Sequence, residues 1–234
     1  MQLSCSNSRH SRGNSPALNS LHRNHHTERN EMTTAIIGLG NMGSGLARRL
    51  AGKGNVVLAA RNEAAAAALA AEIGATSASI EAAIAGADTV VLALPYASAL
   101  DLAKSGALDG KVVVDISNPV KPDFSGLSIG FETSAAEEIQ KAAPAAKVVK
   151  AFNTIFAGLF AAPADDTANV PVFLAGEDAA VAQVETLVKN SGFAVEKTGT
   201  LDAARLLEPV GMLNIRFGYG LGRGTAIAPA WLSV

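Results

Sequence analysis

The chain carries a single cysteine, Cys5. No internal disulfide can form, no cysteine-based metal site is expected, and the single thiol fits a reducing compartment, here expected to be the cytoplasm. All four histidines, His10, His22, His25 and His26, lie before residue 31. From Met32 onward there is none, which excludes a histidine general base, a Ser-His-Asp triad and a histidine-ligated metal there. A dominant charge sign is missing as well. The 19 basic and 21 acidic side chains leave a net charge of −2, so nucleic acid and anionic membranes are not expected partners. No apolar run is long enough to cross a bilayer. What is present is 49% hydrophobic and 17% charged residues over 234 positions, enough for one or two well-packed domains.

Residues 1–31 are rich in Ser, Asn, His and Arg and show no helical or strand period. Such a segment buries too little surface to offset its ordering entropy and is expected to be a disordered tail. It has no apolar signal-peptide core. His22, His25 and His26 on such a tail offer no preorganised metal site. The tail reads as a dispensable extension, with Met32 as the natural start of the domain.

From there, near-continuous apolar runs alternate with helical stretches. The runs are 34–38, 55–60, 89–94, 111–116, 147–152, 170–175 and 193–197, and the helices are 42–51, 63–73, 79–85, 97–105, 134–142, 155–160, 178–190 and 202–217. Strands that are apolar on both faces require a mainly parallel sheet covered on both sides. The expected class is α/β, a doubly wound, mainly parallel sheet of the Rossmann type with a small C-terminal α/β extension. Residues 32–150 would form the nucleotide-binding domain and 151–234 the extension completing a second-cofactor cleft. Asp178 and Asp202 sit where helix N-caps are expected, and Gly192 where a C-terminal glycine is expected.

The first run leads into Gly38-Leu39-Gly40-Asn41-Met42-Gly43 and a helix with Ala47 and Leu50 facing inward. G-x-G-x-x-G between a strand and a helix, with a second strand about twenty residues on, is the dinucleotide fingerprint. Gly38 permits the turn, Gly40 lets the backbone approach a pyrophosphate, and Gly43 allows close helix–strand packing. The pyrophosphate would rest on the helix N-terminus. The second strand ends Ala59-Ala60-Arg61-Asn62, where NAD-specific domains place a carboxylate for the ribose 2′-OH. An arginine there pairs with a 2′-phosphate, which favours NADP(H) over NAD(H).

Ligands lie beyond the carboxyl ends of the strands. The tips are Leu94-Pro95-Tyr96, Ser117-Asn118-Pro119 and Phe152-Asn153-Thr154-Ile155. Asn118, Asn153 and Thr154 suit a nicotinamide amide or a ring carbonyl, although each fits turn and helix-cap chemistry equally well. A Tyr-x-x-x-Lys relay is missing, because Leu100 follows Tyr96 and Arg223 follows Tyr219 at i+4. Hydride transfer between two ring cofactors needs positioning more than a base. Leu206, Leu207, Val210, Leu213 and Phe217 share a helical spacing and read as core or dimer surface. The glycine-dense 218–224 reads as a returning loop or as a flap over a planar ring.

The segments TTAIIGLGNMGSGLARRL, DISNPV, SAAEEIQKAAPAAKVVKAFNTI, VPVFLAGED and LDAARLLEPVGMLNIRFGYGLGRGTAIAPAW, in that order from about Met32 to Trp231, resemble the NADPH-dependent F-420 (deazaflavin) reductases. The resemblance implies a homodimer that exchanges hydride between NADP(H) and a deazaflavin. By motif position Gly38, Leu39, Gly40, Asn41 and Met42 would hold the pyrophosphate and Arg61 the 2′-phosphate. Leu94 and Pro95 would line the nicotinamide, with Asn153 and Ile155 at the deazaflavin face. Asn153 departs from the histidine of archaeal members. The AFNT form is similar to bacterial relatives and to the cytosolic domain of STEAP-type metalloreductases, which brings FAD or FMN in as second cofactor. The alternatives are a ferric or flavin reductase and a non-catalytic NADP(H) redox sensor. An imine reductase like pyrroline-carboxylate reductase would need a long helical dimerisation domain.

Overall fold

A computed structural model describes residues 32–232. The expected tail, with Cys5 and the four histidines, lies outside the described residues. Six parallel strands form the main sheet in the order β3-β2-β1-β4-β5-β6. They are β1 (Thr33–Ile37), β2 (Asn55–Ala59), β3 (Thr76–Ser77), β4 (Thr89–Leu92), β5 (Val112–Asp115) and β6 (Lys147–Lys150). The helices between them are α1 (Asn41–Leu50), α2 (Glu63–Ile73), α3 (Ile80–Ala85), α4 (Tyr96–Lys104) and α5 (Ala135–Ala142). Then follow the short α6 (Gly158–Ala161) and α7 (Ala164–Thr167), the strand β7 (Pro171–Leu174), α8 (Asp178–Asn190), β8 (Ala194–Lys197) and α9 (Ala204–Ile215). β7 and β8 make a second, two-stranded parallel sheet, joined to β6 by an antiparallel bridge between Lys150 and Ala175.

The continuous apolar runs arise because both faces are covered. On β1, Ile36 enters a core with Leu46 and Leu50 of α1 and Val184 and Leu187 of α8, while Ala35 and Ile37 enter one with Ile84, Ala99 and Ile139 on the other side. Residues before and after position 150 share the first of these cores. The sheet reverses direction of growth between β1 and β4, the position where a doubly wound fold opens its crevice. No described helix is long and apolar enough to cross a membrane.

Local details depart from expectation at the strand ends. β4, β5 and β6 stop at Leu92, Asp115 and Lys150, short of the apolar runs, because the following residues leave the ladder to build the crevice. Asp178 and Asp202 are not caps. The N-cap of α8 is Glu177, without a side-chain hydrogen bond, and Asp202 lies inside a 3-10 turn, Leu201–Ala203, that precedes α9. The side chains that do cap are Asn62, Ser79 and Ser134, on α2, α3 and α5. The helix expected over 155–160 begins only at Gly158, and α9 runs on into a π-helical turn, Arg216–Gly220. Gly192 takes a φ of +83° just after α8, as a C-terminal glycine does.

Candidate dinucleotide and ring-binding cleft

The glycine turn divides its labour as the spacing predicts. Gly38 adopts φ +96°, and a Cβ there would lie 2.4 Å from the Ala93 carbonyl oxygen. Gly43 is buried, and a Cβ on it would stand 1.9 Å from the Gly38 oxygen and 2.9 Å from the Ala93 methyl. Around Gly40, by contrast, a Cβ would meet nothing within 4 Å. The chain therefore gains nothing for itself from a glycine at 40, and the empty space suits a group approaching the backbone from outside. Unlike α2, α3 and α5, helix α1 has no side-chain cap and no acidic residue in its first turn. Its leading N–H groups and positive end are left for an anion.

A cleft of about 830 Å³ opens on one side of the turn. Gly38, Leu39, Gly40, Arg61, Asn62, Leu94 and Pro95 all line it. Arg61 is exposed at its rim, and the Asn62 side chain accepts from the Ala65 N–H at 3.1 Å as the cap of α2. Gly43 is packed against the turn and lines neither this cleft nor the cavity on the other side.

On the other side Asn41, Met42, Asn118, Asn153, Thr154 and Ile155 border a smaller cavity of about 260 Å³, completed by Ile116, Phe156, Gly211, Asn214 and Tyr219. Asn118 and Asn153 are locked together. Asn118 Nδ2 donates to the Asn153 carbonyl at 2.7 Å, and Asn153 Nδ2 donates to Asn118 Oδ1 and to the Leu207 carbonyl, both at 2.9 Å. Asn214 Nδ2 donates to the Thr154 carbonyl at 3.0 Å. Asn153 Oδ1 and Thr154 Oγ1 are buried and have no hydrogen-bond partner. Buried polar atoms are nearly always paired, so these two keep unused acceptor and donor capacity on residues that border the cavity. The backbone is held under strain here: Phe152, fully buried, has φ +59°. No carboxylate, lysine or histidine borders this cavity.

Beneath it lies a cluster that the sequence reading did not single out. Lys150, fully buried, donates to Asp115 Oδ2 at 2.8 Å, to the Ser117 carbonyl at 2.6 Å and to Glu208 Oε1 at 2.7 Å. Glu208 also accepts from the N–H groups of Ala135 and Ala136, at 3.0 and 3.4 Å, at the start of α5. Burial pushes the Glu208 carboxyl above its ordinary value, against the pull of the Lys150 ammonium and with a smaller push from Asp115. A carboxyl raised in this way stabilises the fold fully below its unfolded pKa, and that contribution is lost as pH rises through the folded value. In thermal melts, Glu208→Gln is expected to remove this part of the decline. A variant with the wild-type dependence on pH would overturn the assignment.

Tyr219 belongs to the glycine-dense segment 218–224 and lacks a lysine four residues on. It stands on the π-helical turn, 70% exposed, and borders the 260 Å³ cavity and two others. One of those, about 640 Å³, is lined by Phe124, Met212, Ile215 and Arg216. The glycine-dense segment after it is tied back rather than loose. Arg223 and Gly224 donate from their backbones to Phe217 and Gly218, and a Cβ on Gly218 would strike the Phe156 ring at 2.5 Å.

Comparison with known proteins agrees with this fold. Residues 33–119 match the family model of NADP oxidoreductases that are coenzyme F420-dependent. A candidate F420-dependent NADP-reductase from Arthrobacter sp. FB24 is 33% identical, with a TM-score of 0.72 over 83% of this chain and 96% of that one. The hypothetical protein SMa0349 from Sinorhizobium meliloti is also 33% identical, with a TM-score of 0.68 over 76% and 90%. A reductive aminase from Aspergillus terreus, solved with NADPH4, shares the fold at 20% identity, with a TM-score of 0.62 over 82% of this chain and 63% of that one. No curated protein matches the chain. With a Rossmann sheet, a dinucleotide turn and a third of its residues shared over most of both chains, this protein belongs to the F420-dependent NADP oxidoreductase family and is an oxidoreductase.

Proposed function

We propose that the protein transfers hydride between NADP(H) and a deazaflavin or flavin, with the two rings meeting at the cavity of Asn118, Asn153 and Thr154. The observation that carries this reading is the character of that cavity: apolar walls from Met42, Ile116, Ile155 and Phe156, buried amide and hydroxyl groups with unused hydrogen-bonding capacity, and no charged side chain. Reduced nicotinamide supplies the hydride. The protein's part is to hold two flat rings in register and to exclude water, which needs shape and hydrogen bonds rather than a general base. Gly40 leaves room for the pyrophosphate, the uncapped end of α1 receives it, and Arg61 takes the 2′-phosphate.

Arg61 gives the sharpest check on the cofactor half. Arg61→Asp replaces a cation with an anion beside the 2′-phosphate. NADPH affinity is expected to fall by about a hundredfold, roughly 2.7 kcal/mol, while NADH affinity holds or improves. Titration of intrinsic or cofactor fluorescence measures both, and equal loss for the two cofactors would remove Arg61 from the role.

The acceptor half is tested by following NADPH absorbance with F-420, FMN, FAD and ferric citrate offered in turn. Oxidation with F-420 is the expected result. Oxidation only with flavins or iron would move the protein to a flavin or ferric reductase. Tight NADPH binding with no oxidation would make it a sensor and overturn the proposal.

A further inference from the structure

We infer that Lys150 is a positioning residue, which with Asp115 and Glu208 fixes the Asn118–Asn153 amide pair for the nicotinamide half of the dinucleotide. The inference rests on the reading that NADP(H) presents its nicotinamide to that pair.

Three stretches meet at the Lys150 ammonium: the end of β6 that carries it, the end of β5 with the loop after it through Asp115 and the Ser117 carbonyl, and α9 through Glu208. All three ammonium donors are used. The carboxylates continue the lattice. Asp115 Oδ1 accepts from the Ser117 N–H at 2.9 Å, and Glu208 Oε2 accepts from the first N–H of α5. The same three stretches supply the cavity wall a few residues further on. Ser117 is followed by Asn118, Lys150 stands three residues before Asn153, and Glu208 stands one helical turn before Gly211. A Cβ on Gly211 would lie 2.7 Å from Asn118 Nδ2 and 2.8 Å from the Asn153 carbonyl oxygen. The Leu207 carbonyl that receives Asn153 Nδ2 is the peptide neighbour of Glu208. A shift of any one element relative to the other two would therefore break the amide pair or drive α9 into it.

Stability alone does not account for the charges. Taking an ammonium and two carboxylates out of water is costly, and well-packed apolar residues commonly serve as well or better. A cation with three directed donors does something that apolar packing does not: it fixes the relative register of three backbones by hydrogen bonds of 2.6–2.8 Å. The cluster lines neither of the two cavities beside the turn, so its effect reaches the ligand through the residues that follow on the same stretches, the two asparagines and Gly211 among them.

The test compares wild type, Lys150→Met and Glu208→Gln by two readouts. The first is hydrogen exchange of the Asn118 and Asn153 side-chain amides by NMR, with the backbone amides of β1 and β4 as the internal control. The second is affinity for NADPH against 2′,5′-ADP, which carries the adenosine half alone. The expected result for Lys150→Met is amide exchange about tenfold faster with β1 and β4 still protected. NADPH binding should be about tenfold weaker, or 1.4 kcal/mol, with 2′,5′-ADP affinity within about twofold. Unchanged side-chain exchange and an unchanged affinity ratio in a folded variant would overturn the inference, as would equal loss of both ligands. If Lys150→Met does not fold, Glu208→Gln is judged by the same criteria. Loss of fold in both overturns the inference, because the cluster would then hold the domain and not the site. A wild-type protein that binds NADPH no tighter than 2′,5′-ADP refutes the nicotinamide reading, and amide exchange still decides whether Lys150 positions the pair.

Discussion

Arg49→Met is expected to lower the stability of the protein by about 4 kcal/mol, which for a domain of this size lowers the melting temperature by roughly 8–16 °C. Arg49 lies on the buried face of α1, only 9% exposed, and all its acceptors are neutral. Nε donates to the Phe160 carbonyl at 2.8 Å and Nη1 to that of Ser191 at 3.3 Å. Nη2 donates to the carbonyls of Leu159 and Ala162, each at 2.8 Å, and to Thr167 Oγ1 at 3.2 Å. Helix ends leave their last carbonyls without partners, and this guanidinium collects those of α6 and α8 in one place. Its plane also sits 5.3 Å from the Phe193 ring centre, beside the Phe152, Phe160 and Phe193 cluster. Methionine fills the volume but orphans the buried carbonyls of Leu159, Phe160 and Ser191 and the half-buried one of Ala162, each buried one worth about 1–3 kcal/mol if no water reaches it. Differential scanning calorimetry decides the matter, and a melt within about 2 °C of wild type would show that water replaces the guanidinium at little cost.

Gly43→Ala is expected to damage both fold and cofactor binding. Many dinucleotide turns accept alanine as the third small residue. Here the new methyl would lie 1.9 Å from the Gly38 oxygen and 2.9 Å from the Ala93 side chain, and the first of these is backbone that cannot rotate away. Helix α1 must back off from the sheet. Overpacking of this kind costs about 1–3 kcal/mol, and the displaced turn should weaken NADPH at least about tenfold. Gly40→Ala separates the two effects. Its methyl meets no protein atom within 4 Å, so the melt should stay at the wild-type temperature while NADPH binding is lost to a similar degree. Wild-type melting and wild-type affinity in Gly43→Ala would mean that the helix moves freely and that the close approach is not needed.

The sheet was legible because its strands are buried on both faces, which leaves runs such as Ala35–Ile37 and Val112–Val114 with no polar interruption. The two-residue β3 carries no such signal, since Thr76 and Ser77 are both exposed. The turn, and the placing of Arg61 on the cleft beside it, were legible because both are local in sequence. The opposite wall was only half legible, and α9 shows why. Its apolar residues read as core or dimer surface, and Leu206 and Leu213, 64% and 50% exposed, are not core. The buried face is instead Ala204, Leu207, Glu208, Gly211 and Asn214. A helix that turns polar groups inward to meet a site reverses the hydrophobic pattern, and hydropathy then reports the wrong side. Lys150 was hidden for a related reason. A lysine closing an apolar strand looks like a solvated end until Asp115 and Glu208, 35 and 58 residues away, arrive beside it.

The margins of the sheet bear on how this protein meets its own copies. A long unpaired strand edge is a template on which a second chain can add a strand. Here one edge of the six-stranded sheet is β3, two exposed polar residues long, and the other, β6, is bridged at its last residue from Lys150 to Ala175 and donates from Val148 N–H to the Gln140 side chain. The edge passes on to β8, four residues that end in the exposed pair Glu196 and Lys197. Short and charged margins of this sort resist strand addition and the fibrous aggregation that grows from it. Concentrated or partly warmed protein should therefore associate, when it does, through side chains such as Leu206 and Leu213 rather than by extending the sheet.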